Sequence, residues 1–296
     1  RMKLLKKRDI DIEKWNACIA SSDNPLIYGL IAYLDIVAKD WQGLVWEDND
    51  EYVAVFPLPI RVRYGLKYVY PPFFIQQLGL FTRGNNRDEL EKEAFDFLNG
   101  KINFIELYVK GRGILGTKRR NCTLLLNKSY DSLRLNYSSN HKRNLKKAQK
   151  ANLTVECRVN ISEIVNLFRL DKGAHLDTLQ NQDYKNLQNI AIEIESECYG
   201  VYSDGKLICG GLFLKFKDRI TFLFSGNSEE GKNKGALFFL LDHLISINAN
   251  KQIIFDFEGS ENDGLRRFYL GFGGELEIYR FIRVNKLKFP FSLFKK

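Results

Sequence analysis

The sequence predicts an α/β (α+β) protein of two similar halves, each a mixed, mostly antiparallel sheet flanked by helices. Three observations carry this reading. The chain has 296 residues, and domains average about 150. Helices, meander strands, a helix and a strand follow one another in that order twice. Turn signals stand where antiparallel partners must reverse. The repeat is one of element order, not of residue identity. It divides the chain into a first domain at 1–130, a basic linking helix at 131–152 and a second domain at 153–296.

In the first half, a strand at Lys3–Lys7 is followed by helical segments at Asp11–Ser21 and Leu26–Ala38. Strand-like runs at Gly43–Trp46 and Tyr52–Arg63 flank an acidic, Asn-containing turn. A third run, Lys67–Tyr70, stops at Pro71-Pro72, because proline cannot donate to a strand ladder. An amphipathic helix over Asp88–Leu98 leads to an alternating strand, Ile102–Val109.

In the second half, Leu187, Ile190, Ala191 and Ile194 recur at helical spacing and predict a helix over Asp183–Glu195. Strands Tyr199–Tyr202 and Lys206–Phe216 flank Asp204-Gly205, a pair that accepts positive φ and so favours a hairpin. Arg219–Phe224 continues the meander. Gly235–Ile247 is apolar nearly all round, as a buried helix is. A short strand at Gln252–Phe257, a short helix and a closing strand at Glu275–Val284 complete the half. The crossover helices imply one parallel strand pair in each sheet.

Hydrophobic residues make up 45% and charged residues 27%, a balance that excludes general disorder. The net charge of +9 favours anionic partners without choosing among them. Five cysteines occur, scattered and never as C-x-x-C, which points to free thiols in a reducing compartment. No apolar run nears the roughly 20 residues that span a bilayer, and no early segment reads as a signal peptide. The expected location is the cytoplasm. The three histidines, His141, His175 and His243, are isolated, so no metal site is expected. No G-x-S-x-G elbow and no phosphate loop of the G-x-x-x-x-G-K-[ST] type occurs.

Four constellations can carry chemistry. Between Asp131 and Glu156 there is no acid, and Lys142, Arg143, Lys146, Lys147 and Lys150 share one helical face after an N-cap at Ser138 or Ser139. Like charges on one face repel, and a bound phosphate or nucleic-acid backbone relieves them; a solvated face is the structural alternative. Next, the segment Ser225–Ala236 precedes the buried helix and contains Gly231, Lys232, Asn233, Lys234, Gly235 and Ala236. As a glycine-bearing loop it aims backbone N–H groups at one point, where a pyrophosphate can sit; an ordinary strand–helix connection is the alternative.

The third constellation is Asp256-Phe257-Glu258-Gly259-Ser260 with Phe268-Tyr269-Leu270-Gly271-Phe272-Gly273-Gly274. Acyl transfer to an amine needs a base for its proton and an acid for the leaving group. Asp256 or Glu258 is the candidate base and Tyr269 the candidate acid. Asp256 and Glu258 alternate across a strand, so one of them is expected to be structural. The fourth is the apolar, proline-bearing segment from Tyr70 to Phe81 with Gln76 and Gln77, read as a cleft wall that contacts substrate or else as a core connection.

At these residues the chain resembles a FemAB-like protein of the GNAT acyltransferase superfamily. Ser139-Asn140-His141-Lys142-Arg143-Asn144-Leu145-Lys146-Lys147-Ala148 is similar to that group's basic helix between domains. The segments around Asp256 and Tyr269 resemble its C-terminal signature, and the Pro71-to-Phe81 loop its N-terminal cleft segment. The resemblance implies two tandem GNAT-like domains with a cleft between them. It implies transfer of an acyl or aminoacyl group to an amine, from acyl-CoA, an acyl carrier or charged tRNA. No tightly bound cofactor is implied; acyl-CoA or aminoacyl-tRNA would be the donor substrate. Implied partners are an anionic small molecule or cell-wall precursor, with tRNA as a further candidate. Tyr269 takes the place of the tyrosine that GNAT enzymes use as general acid. The cofactor loop departs from the group's Q/R-x-x-G-x-G/A pattern, since Leu237 stands at its last small position. A non-catalytic anion- or nucleic-acid-binding module on the same fold is the alternative.

Overall fold

The computed structural model describes residues 2–111, 116–171, 179–259 and 261–289. The chain divides into two compact units, Arg1–Arg119 with Ile278–Lys296, and Arg120–Glu277.

In the first unit, β1 (Met2–Lys6) is followed by α1 (Ile12–Ala20), which Asp11 caps by accepting from the Lys14 N–H at 3.0 Å. The expected second helix is split. A single 3₁₀ turn occupies Ile27–Gly29, and α2 (Ile31–Val37) begins only after Leu30, which has extended dihedrals. Then come β2 (Trp41–Asp48), β3 (Glu51–Arg63), β4 (Leu66–Val69), β5 (Phe81–Thr82), α3 (Arg87–Lys101) and β6 (Phe104–Val109). The β2–β3 turn places Asn49 and Asp50 at positive φ, as a two-residue hairpin with a right-handed strand twist requires. Strands β1, β2, β3 and β4 pair antiparallel in sequence, while β4 meets β6 in parallel through Val69 and Ile105. The α3 crossover makes that parallel pair possible. Leu44, Phe56, Val69, Ile105 and Leu107 from the sheet bury against Ala94 and Leu98 of α3.

β7 (Thr117–Leu125) leads from the first unit into the second, which continues with α4 (Tyr130–Leu135), α5 (Ser139–Lys150) and β8 (Thr154–Cys157). Next are α6 (Ile161–Leu170), α7 (Asn181–Glu193), β9 (Ser196–Ser203), β10 (Lys206–Phe216) and β11 (Arg219–Asn227). The unit closes with α8 (Glu229–Lys234), α9 (Ala236–Asn248), β12 (Ile254–Asp256) and α10 (Asp263–Leu270). Its strand order is β7-β12-β11-β10-β9-β8, antiparallel except for β11 with β12. The core gathers Leu145 and Ala148 of α5, Leu240, Leu241 and Leu244 of α9, and Phe213, Phe222, Phe255 and Phe272. The basic helix therefore belongs to this unit's core. The last strand, β13 (Glu275–Asn285), begins in this unit and runs into the first, where Arg280–Asn285 pair antiparallel with β6.

Both units carry the mixed, mostly antiparallel sheet with one parallel pair that the element order implies. Among the described residues no helix is long and apolar enough to cross a membrane.

Candidate functional site

In the second unit's sheet β12 is much shorter than β11, the strand it pairs with. β11 has nine residues, but only Arg219, Ile220 and Thr221 pair with β12. Beyond Thr221 the edge of β11 facing β12 has no ladder partner among the described residues. The opposite edge stays paired with β10 and carries a bulge, since Leu212 pairs with Phe224 and the adjacent Phe213 with Phe222, leaving Leu223 as the extra residue. A bulge strengthens local twist and turns a strand away from its neighbour.

Asp256 ends β12. Its Oδ2 accepts from Arg219 Nη1 at 2.5 Å and its Oδ1 from the Glu258 N–H at 2.8 Å. The side chains are 1% and 11% exposed for Asp256 and Arg219. One carboxylate oxygen thus holds the turn that follows and the other ties β12 to β11. That turn places Glu258 at φ 57° and Gly259 at φ 48°. A Cβ on Gly259 would lie 2.3 Å from the Arg120 carbonyl, so only glycine fits. Glu258, a non-glycine residue in the left-handed region, stores local strain. Ser260 lies outside the described residues.

Tyr269 sits in the last turn of α10. Asn262 caps that helix by accepting from the N–H groups of Gly264 and Leu265. The Tyr269 ring stacks on Phe257, with centroids 5.3 Å apart and planes at 25°. Among the described residues its hydroxyl has no hydrogen-bond partner. Desolvation, with the nearby negative charge of Glu258 and the Cys122 thiol, raises its pKa well above the ordinary value of 10.0. The phenol is a neutral donor at any physiological pH.

The helix bearing Tyr269 is pinned by α5. His141 is 2% exposed. Its Nε2 lies 2.8 Å from the Phe268 carbonyl and its Nδ1 2.8 Å from Ser138 Oγ. A carbonyl only accepts, so Nε2 carries the hydrogen and Nδ1 of the neutral ring accepts from the serine hydroxyl. Ser138 also donates its N–H to the Gly271 carbonyl at 2.9 Å. A Cβ on Gly271 would fall 1.9 Å from the His141 ring. Sequence reading set His141 aside as an isolated histidine. Its place four residues before Leu145 and seven before Ala148, both buried, was the signal that it faces inward.

The face expected to be basic is exposed at Arg143, Lys146, Lys147 and Lys150. Lys142 is half-buried and donates to the Leu135 carbonyl at 3.0 Å, closing the end of α4.

The segment expected to be a phosphate-cradling loop is not a loop. Residues 225–227 extend β11, and Glu229–Lys234 form α8, capped by Ser228, which accepts from the Gly231 N–H at 3.0 Å. Ser228 takes up the N–H groups of Gly231 and Lys232. Lys232 pairs with Asp171 at 2.5 Å, and Lys234 with Glu230 at 2.8 Å. Asn233 is exposed. Gly235 takes φ 73° as the joint between α8 and α9, with the Asn144 carbonyl 2.9 Å from where a Cβ would stand. Ala236 is fully buried at the start of α9. One polar atom here was missed from sequence: Asn227 Oδ1 is buried, lies 2.3 Å from where a Gly231 Cβ would be, and has no hydrogen-bond partner among the described residues.

Tyr70, Gln76 and Gln77 lie in the first unit. Tyr70 is buried beneath the Arg61 guanidinium, 4.0 Å from its ring centre. Gln77 is 2% exposed; its Nε2 donates to Gln76 Oε1 at 3.0 Å, while its own Oε1 is buried without a partner among the described residues. Leu78 forms a parallel bridge to Val109, so the segment's end is a core connection of this unit. Among the described residues no group of three or more His, Cys, Asp and Glu is placed to hold a metal ion.

No protein-family model matches the sequence, and a search of curated proteins gives no match. Solved structures do match. FemX superposes with a TM-score of 0.64 at 12% identity, covering 91% of this chain and 95% of its own. The C-terminal domain of a protein from Agrobacterium fabrum designated a lysylphosphatidylglycerol synthetase gives 0.56 at 12%, covering 95% and 93%. A tandem GNAT protein from the clavulanic acid biosynthesis pathway, solved without acetyl-CoA, gives 0.56 at 11%, covering 97% and 99%. The chain has the FemAB-like, tandem GNAT fold.

Proposed function

We propose that the protein is an N-acyl or aminoacyl transferase whose reacting centre lies in the second unit, where β11 parts from β12 beside α10. The observation that carries this reading is the phenol of Tyr269. Burial and the negative charge of Glu258 raise its pKa further above neutrality, and it stands on a helix clamped from two sides.

The acceptor amine attacks the carbonyl carbon of a thioester or ester donor. Its proton passes to Glu258, directly or through water, which leaves Asp256 as the positioning residue of the turn. The backbone N–H groups of β11 beyond Thr221 are suited to meet the developing oxyanion. When the intermediate collapses, the carbon–sulfur or carbon–oxygen bond breaks and Tyr269 gives its proton to the leaving atom. The phenolate, unstable in this dry setting, regains a proton from Glu258 and solvent. Asn227 Oδ1, a buried acceptor lacking a partner, suits an amide N–H of a donor chain. Lys146, Lys147 and Lys150 offer cations to the donor's phosphates.

Incubation with a panel of acyl-CoAs and aminoacyl-tRNAs and amine acceptors, read by mass spectrometry, tests this. Tyr269→Phe should lower turnover about 10²- to 10⁴-fold, the usual range for an acid–base group, with an unchanged melting temperature. Unaltered turnover removes Tyr269 from the mechanism. The second reading, a non-catalytic binder of nucleic acid or another anion, is favoured by the exposed Arg143, Lys146, Lys147 and Lys150 of α5. Salt-dependent RNA binding with no transfer from any donor would establish it instead.

A further inference from the structure

An independent feature stands in the first unit. β3 pairs with β2 as far as Pro59, the Ile60 N–H still reaches the Asp40 carbonyl at 2.9 Å, and among the described residues Arg61, Val62 and Arg63 pair only with β4. Of β4, only Val69 pairs with β6. The hairpin end thus extends beyond its sheet, and Arg61, Val62, Arg63, Tyr64, Gly65 and Lys67 are all exposed. Val62 is 66% and Tyr64 69% exposed.

The turn itself is unusual. Tyr64 at φ 51° and Gly65 at φ 73° form a two-residue connection with both φ positive. Asn, Asp or Gly fills the first position at little cost, whereas a bulky aromatic is sterically strained there. The strained tip thus turns most of an aromatic ring toward solvent. The charge around it has one sign. No acid occurs from Tyr52 to Arg87, while Arg61, Arg63 and Lys67 flank the tip. Arg63 lies 5.2 Å from the Tyr64 ring centre, so cation and aromatic are presented together.

We propose that this hairpin docks on a bilayer surface containing anionic phospholipid. Tyr64 and Val62 enter the boundary between headgroups and acyl chains, and Arg61, Arg63 and Lys67 meet lipid phosphates. An amphipathic aromatic with flanking cations suits that interface. A nucleic-acid backbone would reward the cations but not the aliphatic Val62.

Sedimentation of the whole chain with phosphatidylcholine vesicles, with and without phosphatidylglycerol, tests this. Binding should require the anionic lipid and weaken as salt rises. Arg61→Gln and Arg63→Gln should each lower partitioning roughly fivefold. Tyr64→Asn should lower it while the melting temperature holds or rises, because Asn accepts the left-handed turn. Trp15, Trp41 and Trp46 are buried, so Tyr64→Trp adds a solvent-sensitive probe whose emission should shift blue on anionic vesicles. The proposal is overturned if Tyr64→Asn sediments like the parent chain, if the probe does not shift, or if an RNA homopolymer is bound and vesicles are not.

Discussion

His141 donates its Nε2 hydrogen to the carbonyl of Phe268 at 2.8 Å, the residue immediately before Tyr269. The imidazole packs edge-on against Phe272 with centroids 4.4 Å apart and against Phe238 at 4.9 Å. One side chain thus joins the basic helix to the helix that carries the proposed acid.

Replacing His141 by Ala should remove both ring hydrogen bonds and leave a void among phenylalanines. Buried hydrogen bonds and core cavities together predict a loss of about 2–4 kcal/mol, read from urea unfolding. A positioning role for His141 also predicts a lower kcat at little cost in KM, measured on the folded variant. A loss of stability with no change in kcat would confine the residue to packing.

Stability should also fall on mild acidification. Burial lowers the His141 pKa below its ordinary 6.5, the Phe268 carbonyl opposing in part. The unfolded chain takes up a proton near pH 6.5, whereas the folded chain takes it up only at lower pH. Between those two points the unfolded state binds more protons, so stability declines as pH drops below about 6.5 and levels off beneath the folded pKa. Burial lowers His243 as well, with the same sign. Urea midpoints across this range should slope less in His141→Gln than in the parent chain, the remainder belonging to His243.

Gly271→Ala should be more harmful than an ordinary glycine replacement. Gly271 has φ −65°, which any residue adopts, so the cost is purely steric. The added carbon meets the His141 ring at 1.9 Å. Overpacking of this kind costs about 1–3 kcal/mol or more. Combining Gly271→Ala with His141→Ala should recover part of the loss, a coupling that a double-mutant cycle on melting curves would detect.

The buried ion pair separates structure from catalysis at Asp256. Arg219→Met leaves an uncompensated buried carboxylate, at a cost of about 3–5 kcal/mol. Asp256→Asn keeps an oxygen for the Glu258 N–H and should retain most turnover per folded molecule. Turnover as low as that of Tyr269→Phe would return Asp256 to the role of base.

Much of the architecture was legible because it is local. Asp204-Gly205 has φ 50° and 76°, as its hairpin requires, and Asp11 and Ser138 cap the helices that follow them. Periods of two and 3.6 residues located most other elements. The breaks were less legible. The linking helix expected to start at Ser138 or Ser139 does so as α5, but the short α4 before it was not assigned, and nothing local shows that Ser138 gives its N–H to Gly271, far along the chain. The segment after β11 reads as a loop, yet folds into α8, steadied by Lys232 with Asp171 and Lys234 with Glu230. β7, β8 and α6 were not assigned at all, although Asn160 caps α6 and Ile161, Ile164 and Val165 repeat at helical spacing.

By itself the sequence determined the alternation of helices and strands, the turns and the exposed cations, since each depends on neighbours a few residues away. Tertiary structure alone decided the roles within the site. Asp256 is taken up by Arg219 from another strand, burial raises the pKa of the Tyr269 phenol, and His141 meets Phe268 across 127 positions of chain. Desolvation and long-range pairing arise from packing, and no pattern of adjacent residues encodes them.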